Sequence, residues 1–303
     1  MDGWDDISPR EGDFITGIEW MPGRIPKRPN RLLDAMKDLR SLHANSVVVT
    51  PTWTFTHQQP PVLEPKANQD ALWPELDAVM ETASSQRLQV ALYPHPQFPS
   101  LSRDWWQTAS RDYGWWNSWF DQYRRFALHF ADAAQTRDVE VLVLGGSWLA
   151  PALPGGKLPD GTPSGLLADA GLRWEKILKD VRARYDGTIA WAMPLPEKPI
   201  KPRYLDQVDQ VHLLWSPVLT GEESTPESMV DTAKERLQSD VKPLWENWLR
   251  DQNQRLIIST AYPSAAGASK KCLKMVDEVC LPPASLSRPG LQISDVALDF
   301  EEQ

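Results

Sequence analysis

Cysteine is scarce in this chain: two residues in 303. A chain of this length does not need a disulfide frame, because one or two ordinary domains can bury a full core. Long apolar runs are missing as well, and nothing approaches the roughly 18–20 residues of a membrane span. The first twenty residues hold no basic-then-apolar signal pattern. They begin mid-stride at Trp4 and Asp5, as a mature form or a fragment of a longer chain would. Positive charge is in deficit, and a formal net charge of -9 argues against nucleic acid as a partner. The histidines (His43, His57, His95, His129 and His212) show no paired ligand spacing, so no metal site is expected. There is no phosphate loop, no G-x-S-x-G and no Cys/His nucleophile pattern, so no cofactor is expected either.

Tryptophan, by contrast, is abundant. There are 15 of them, about double the ordinary usage for this length. Tryptophan suits cores, interfaces and stacking platforms, so each one reads either as core packing or as a ligand platform.

Short β-like runs alternate with helical periodicity along the chain. Strand one is Phe14–Trp20, followed by a helix over Arg31–Leu42 with Asn30 as N-cap. Strand two is Asn45–Phe55, and the helix after it is Gln69–Ser84, with Leu72, Leu76, Val79, Met80 and Ala83 on one face. Strand three is Leu88–Tyr93. A long helix, Trp116–Ala134, precedes strand four, Val139–Leu144. The helix Gly171–Tyr185 precedes strand five, Thr188–Met193. Strand six is Val208–Trp215. Thr225 and Pro226 open another helix as N-cap and N1, with Met229, Val230, Ala233 and Leu237 inward. A shorter helix covers Val241–Leu249, and strand seven is Arg255–Thr260.

Strands joined by helical crossovers run parallel, and apolar runs such as VEVLVL suit strands covered on both faces. The expected architecture is α/β, a (β/α)8 TIM-barrel in a single domain over residues 1–303. The eighth strand is not visible. After strand seven come a long loop, 262–294, and Asp295–Gln303, which reads as the start of a helix. Either an earlier element is misread, or the sequence stops before the barrel closes.

Function in such a barrel sits at the C-terminal ends of the strands. Five of the seven ends carry an aromatic residue there or within two positions. Sugars present C–H faces that stack on tryptophan, so an aromatic rim points to carbohydrate. Trp20, Trp53, Trp148 and Trp215 are expected to line one groove, with His95 and Tyr262 beside them as substrate-binding residues. Loops packed by aromatics are the alternative.

The layout LHANSVVVTPTW, WWNSWFDQYRRFALHFADAAQTRDVEVLVLGGSW, WEKILKDVRARYDGTIAWA, VDQVHLLWSPV and LIISTAYPSAAGA resembles glycoside hydrolase barrels related to the family 113 mannanases of clan A. The resemblance covers about residues 13–270. It implies an acid/base glutamate at the end of strand four and a nucleophile glutamate at the end of strand seven. The matching positions here are Ser147 (or Gly146) and Ser259. Neither serine can protonate a leaving oxygen or form the glycosyl ester of a two-carboxylate mechanism.

Two carboxylates are candidate substitutes. Glu19 ends strand one in an apolar run, where partial desolvation would raise its pKa as a general acid requires; pairing with Arg24 is the bland alternative. Glu197 follows strand five in PLPEKP, more simply read as a solvated loop charge. Asp104, Asp112 and Asp160 read equally as ligands of sugar hydroxyls or as caps, and Asp169 reads rather as an N-cap. Cys272 and Cys280 would lie ~12 Å apart on a straight helix at ~1.5 Å per residue, whereas a disulfide needs about 4.4–6.8 Å. A bridge between them therefore requires a fold-back.

Three readings stay open: a carbohydrate-binding barrel without Glu/Glu catalysis, an active β-glycoside hydrolase with relocated carboxylates, or a structural module of a larger secreted protein. An extracellular or cell-surface location, as part of a longer chain, is expected.

Overall fold

The computed structural model describes residues 17–20, 29–196, 201–219, 225–249, 254–260, 262, 266–274 and 280–281. Seven strands form its main sheet: β1 (Gly17–Trp20), β2 (Ser46–Val49), β3 (Gln89–Leu92), β4 (Val141–Gly145), β5 (Thr188–Pro194), β6 (Gln210–Leu214) and β7 (Arg255–Ser259). They lie side by side in chain order, and every pairing is parallel. This is the (β/α) barrel arrangement, and each crossover is long enough to carry helix. Among the described residues β1 and β7 each pair on one side. Residues 295–303, expected to begin a helix, lie outside the described residues, as do 14–16 of the expected first strand.

Alternation along the strands assigns the two faces. Val47, Val49, Leu142, Leu144, Ile189, Trp191, Val211 and Leu213 face outward into the principal core, beneath the helices. Val143, Ala190 and Ala192 face inward as a separate small cluster.

The helices are α1 (Pro29–Ser41), α2 (Trp73–Ser85), α3 (Ser102–Thr108), α4 (Tyr113–Thr136), α5 (Ala170–Arg182) and α6 (Pro226–Arg236). Asn30 lies inside α1 rather than capping it. α2 begins later than the periodicity suggests, because the segment before it is organised by a buried side chain. Asp70 accepts the hydroxyls of Thr52 and Thr54 at 2.6 and 2.9 Å and the backbone N–H of Lys66 at 2.7 Å. Leu72 thus falls at the N-cap and is exposed, not inward. Asp112 caps α4 by accepting the Trp115 N–H at 2.8 Å. Thr225 caps α6, accepting the Ser228 N–H at 3.2 Å. The inward face expected on α6 is not formed: the helix buries no residue, and Val230 is 52% exposed. Its apolar stripe is narrow and flanked by Glu227, Asp231, Lys234 and Glu235. Residues 237–249 continue through two π-helical turns.

The expected second strand is broken at Thr50-Pro51. Proline has no N–H for a ladder, and the chain leaves the sheet there. Thr52–Gln58 then pairs with Pro61–Glu64 antiparallel and with His95–Gln97 parallel, in a separate three-stranded ribbon. A tryptophan cluster is built around α3, α4 and α5. Trp105, Trp106, Trp115, Trp116, Trp119, Trp174 and Trp191 are all buried, with ring centroids 5–6 Å apart, the separations at which aromatic pairs attract.

Near the other end of the chain, Leu273–Lys274 and Cys280–Leu281 pair antiparallel. Cys272 is disulfide-bonded, and this ribbon is the fold-back that a bridge between the two cysteines requires.

Candidate functional site

The strand ends place the expected site residues in three different environments. Trp53 and Trp215 are buried, at 7% and 6% exposure. Trp53 packs on α4, with ring centroids 4.8 Å from His129 and 5.8 Å from Phe126. The indole N–H of Trp215 points to Asp240 at 3.5 Å. Trp53, in the three-stranded ribbon, is covered by α4, and Trp215, just past the end of β6, is buried beside Asp240, so neither offers a surface to a ligand. The expected four-tryptophan groove is therefore not formed by these two. For Trp20 the structure describes the backbone position, at the end of β1. Glu197 and Arg24 lie outside the described residues.

A second set of expected residues follows the ends of β3, β4 and β7. Trp148 is half-buried, with ring centroids 6.1 Å from Phe98 and 5.8 Å from Tyr123. Its carbonyl accepts the Trp106 indole N–H at 2.8 Å, while its own indole nitrogen has no partner among the described residues. His95 stands edge-on to Tyr93 at 4.1 Å between centroids. The His95 Nε2 is buried without a partner among the described residues, and burial pushes its pKa down to about 4. Tyr262, half-buried, donates its hydroxyl to the Pro217 carbonyl at 2.6 Å.

The end of β4 is built around two glycines. Gly145 has φ +93°, and a Cβ there would lie 2.2 Å from the Ala192 carbonyl oxygen. Gly146 has φ +130°, and a Cβ there would lie 2.4 Å from the Trp148 Nε1. The Gly146 N–H continues the ladder to the Ala192 carbonyl at 2.7 Å. No side chain fits at either position with the backbone and indole as they stand. Ser147, the first residue able to carry one, is exposed at the start of a 3-10 turn. At the end of β7, Ser259 faces the lumen.

The third environment is the lumen itself. Instead of packed layers it holds a cavity of about 380 Å³. All seven strands line it, from Ser46, Gln89 and Gln210 at their N-terminal ends to Leu214 and Ser259 at their C-terminal ends. Glu19 faces this space; water reaches its carboxyl, yet the surrounding protein raises its pKa by desolvation. Glu140 also lines it and is shifted the same way. Burial raises the Tyr93 pKa, and the Glu19 charge adds to the shift. His212 is pushed down to about 4 by burial, and its Nε2 lies 3.2 Å from the Gln210 Oε1. Tyr93, His212, Glu140, Gln89 and Gln210 were not singled out from the sequence. The alternation Gln89-Ala91-Tyr93 and Gln210-His212-Leu214 carried the signal, because inward positions recur every second residue.

Asp104, Asp160 and Asp169 have local partners: Arg103, Thr162 with Gln107, and Arg173. Among the described residues no three His, Cys, Asp or Glu side chains converge as metal ligands, and no helix is long and apolar enough to cross a membrane.

Fold and strand-end layout together define an α/β barrel of the kind found in glycoside hydrolases. A family 113 β-1,4-mannanase superposes with TM-score 0.62 at 15% identity, over 96% of this chain and 81% of that one. The family 113 β-mannanase of Alicyclobacillus acidocaldarius superposes with TM-score 0.60 at 16% identity, over 86% and 74%. Neither a family model nor a curated protein sequence matches the chain.

Proposed function

We propose that the protein binds an oligosaccharide or polysaccharide at the C-terminal mouth of its barrel without two-glutamate hydrolysis. The observation that carries this reading is the crowding at the end of β4. Gly145 and Gly146 have no room for a side chain, and Ser147 cannot supply a proton at neutral pH. General acid catalysis needs a titratable group within about 2.6–3.2 Å of the glycosidic oxygen. The end of β7 offers Ser259, equally unable to act as a carboxylate. The glycoside hydrolase fold supports a sugar as ligand, although fold alone does not fix function. Trp148 and Tyr262 supply aromatic surface, and His95 packs edge-on to Tyr93 past the end of β3. The disulfide at Cys272 favours an oxidising, extracellular setting.

One observation favours a second reading, an active β-glycoside hydrolase with a relocated acid. Glu19 faces the lumen with the raised pKa a general acid needs. The other lumen carboxylate, Glu140, stands before β4, toward the opposite ends of the strands.

Titrating the protein with manno-oligosaccharides and β-mannan by calorimetry, alongside a reducing-end assay, separates the readings. Binding without release is expected. Release that disappears in Glu19→Gln would establish the hydrolase instead, and failure to bind any of a panel of polysaccharides would overturn both.

A further inference from the structure

The lumen of a (β/α) barrel is ordinarily filled by layers of bulky branched side chains. Here its lining includes Ser46, Ala91, Ala192 and Ser259, and the space of about 380 Å³ lies at the small end of ligand sites, which run about 300–1,000 Å³. A space of that size holds one sugar ring or a similar molecule, not the interior of a polysaccharide chain. Its charges are one-sided. Glu19 and Glu140 line it, no lysine or arginine among the described residues does, and His212 is neutral at physiological pH. Gln89, Gln210, Ser46 and Ser259 add uncharged hydrogen-bonding groups, and Val48, Val141, Val143, Leu214 and Ile257 add apolar wall.

We infer that the lumen takes a terminal sugar bearing a free amine, with the ammonium group held by Glu19 or Glu140. The inference rests on the carbohydrate reading above and narrows it to a cationic chain end. A carboxylate in a partly desolvated space lacks a counter-charge, and a ligand ammonium supplies one. The resulting charge-assisted hydrogen bond is stronger than a neutral one. A neutral hexose gains no such term, and an acidic sugar would meet two carboxylates. The amide and hydroxyl groups suit ring hydroxyls, and the apolar wall suits the C–H face of the ring. Tyr93 also lines this space, and burial together with the Glu19 charge keeps it protonated.

The test compares three probes on the whole protein at pH 7: glucosamine tetramer, mannotetraose and an oligouronate, in about 0.15 M salt, where the screening length is ~8 Å. The expected result is at least roughly tenfold tighter binding of the amine-bearing tetramer, the effect of about one charge-assisted contact. Glu19→Gln or Glu140→Gln should remove that preference while circular dichroism shows an unchanged fold. Equal affinity for the amine-bearing and neutral tetramers overturns this inference and leaves the proposed function standing. Binding of none of the probes or polysaccharides overturns both. A preference that survives both substitutions, singly and together, puts the amine on the acidic outer surface and overturns the lumen site. Should Glu19→Gln fail to fold, Glu140→Gln and a salt titration of the wild type keep the test decisive, because an outer-surface cation would be lost at high salt more steeply than one held in the lumen.

Discussion

At the scale of single residues, the β4 end makes the sharpest statement. Gly146→Glu would place a carboxylate where the resemblance to family 113 barrels implies an acid. It should fail as a repair. The residue sits at φ +130°, and its new Cβ would lie 2.4 Å from the Trp148 ring nitrogen. A non-glycine residue held in such a conformation costs about 1–3 kcal/mol. A thermal melt should show that loss, and a reducing-end assay should show no gain of hydrolysis. Trp148→Ala makes a complementary prediction: glycan affinity weakens by roughly 1–3 kcal/mol, the scale of a lost aromatic anchor. Ser147→Ala should leave binding unchanged, since that side chain is exposed at the start of the turn. Calorimetry on the folded fraction separates the binding loss from any loss of packing. Much of this was legible in the sequence: GGSW announced small residues followed by an aromatic, and Glu19 stood out in an apolar run. The fate of Trp53 and Trp215 was not legible. For Trp215 the position at a strand end said nothing of which face it would take, and one residue of phase decides between lumen and helix; Trp53 left the sheet with the ribbon that follows Pro51.

At the scale of elements, the strands and their order could be read because apolar runs separated by helical periodicity leave few arrangements. The departures have local causes. Pro51 split the second strand, and Asp70, bonded to Thr52, Thr54 and Lys66, delayed α2 until Trp73. Neither effect is periodic, so neither shows in a pattern of apolar residues. In α6 the period was right and the burial was not, because a helical stripe records what a helix can bury rather than what covers it. The two capped helices can therefore be set against each other. Asp112→Ala removes the cap of α4, whose buried face includes Trp116, Trp119, Phe126 and Phe130. It should lower global stability by about 1 kcal/mol. Thr225→Ala removes the same kind of bond from α6, which buries nothing. Its effect should stay local: faster amide exchange over residues 226–230 with little change in the melting temperature. Equal global losses from the two substitutions would show that α6 is packed in solution.

At the scale of the whole molecule, two buried histidines, His212 in the lumen and His95 in the ribbon beyond β3, tie stability to pH. His95 and His212 are held down to about 4 by burial, against an ordinary 6.5. In the unfolded chain both titrate near the ordinary value. Between these limits the unfolded state binds protons that the folded state refuses, so stability rises with pH across that window. The contribution of the two histidines is complete above pH 6.5 and is lost as pH falls through about 4. Glu19 and Glu140 run the other way. Burial raises each above 4.5, so the folded state holds their protons more tightly than the unfolded chain does. Their favourable contribution is present below that value and fades as pH rises through the raised pKa. At neutral pH the histidine effect is at its fullest, while the carboxylates are charged at a disadvantage. Melting curves at pH 7 and pH 4.5 should therefore show the wild type weakened at the lower pH, each histidine contributing on the order of 1–3 kcal/mol. His212→Gln should flatten that dependence, because glutamine binds no proton in either state. Glu19→Gln should raise the melting temperature at pH 7 and have little effect at pH 4, where the carboxyl is already protonated. An unchanged pH profile in His212→Gln would mean that solvent fills the lumen freely enough to leave the imidazole at its ordinary pKa, and the lumen would then be too wet to favour a bound cation.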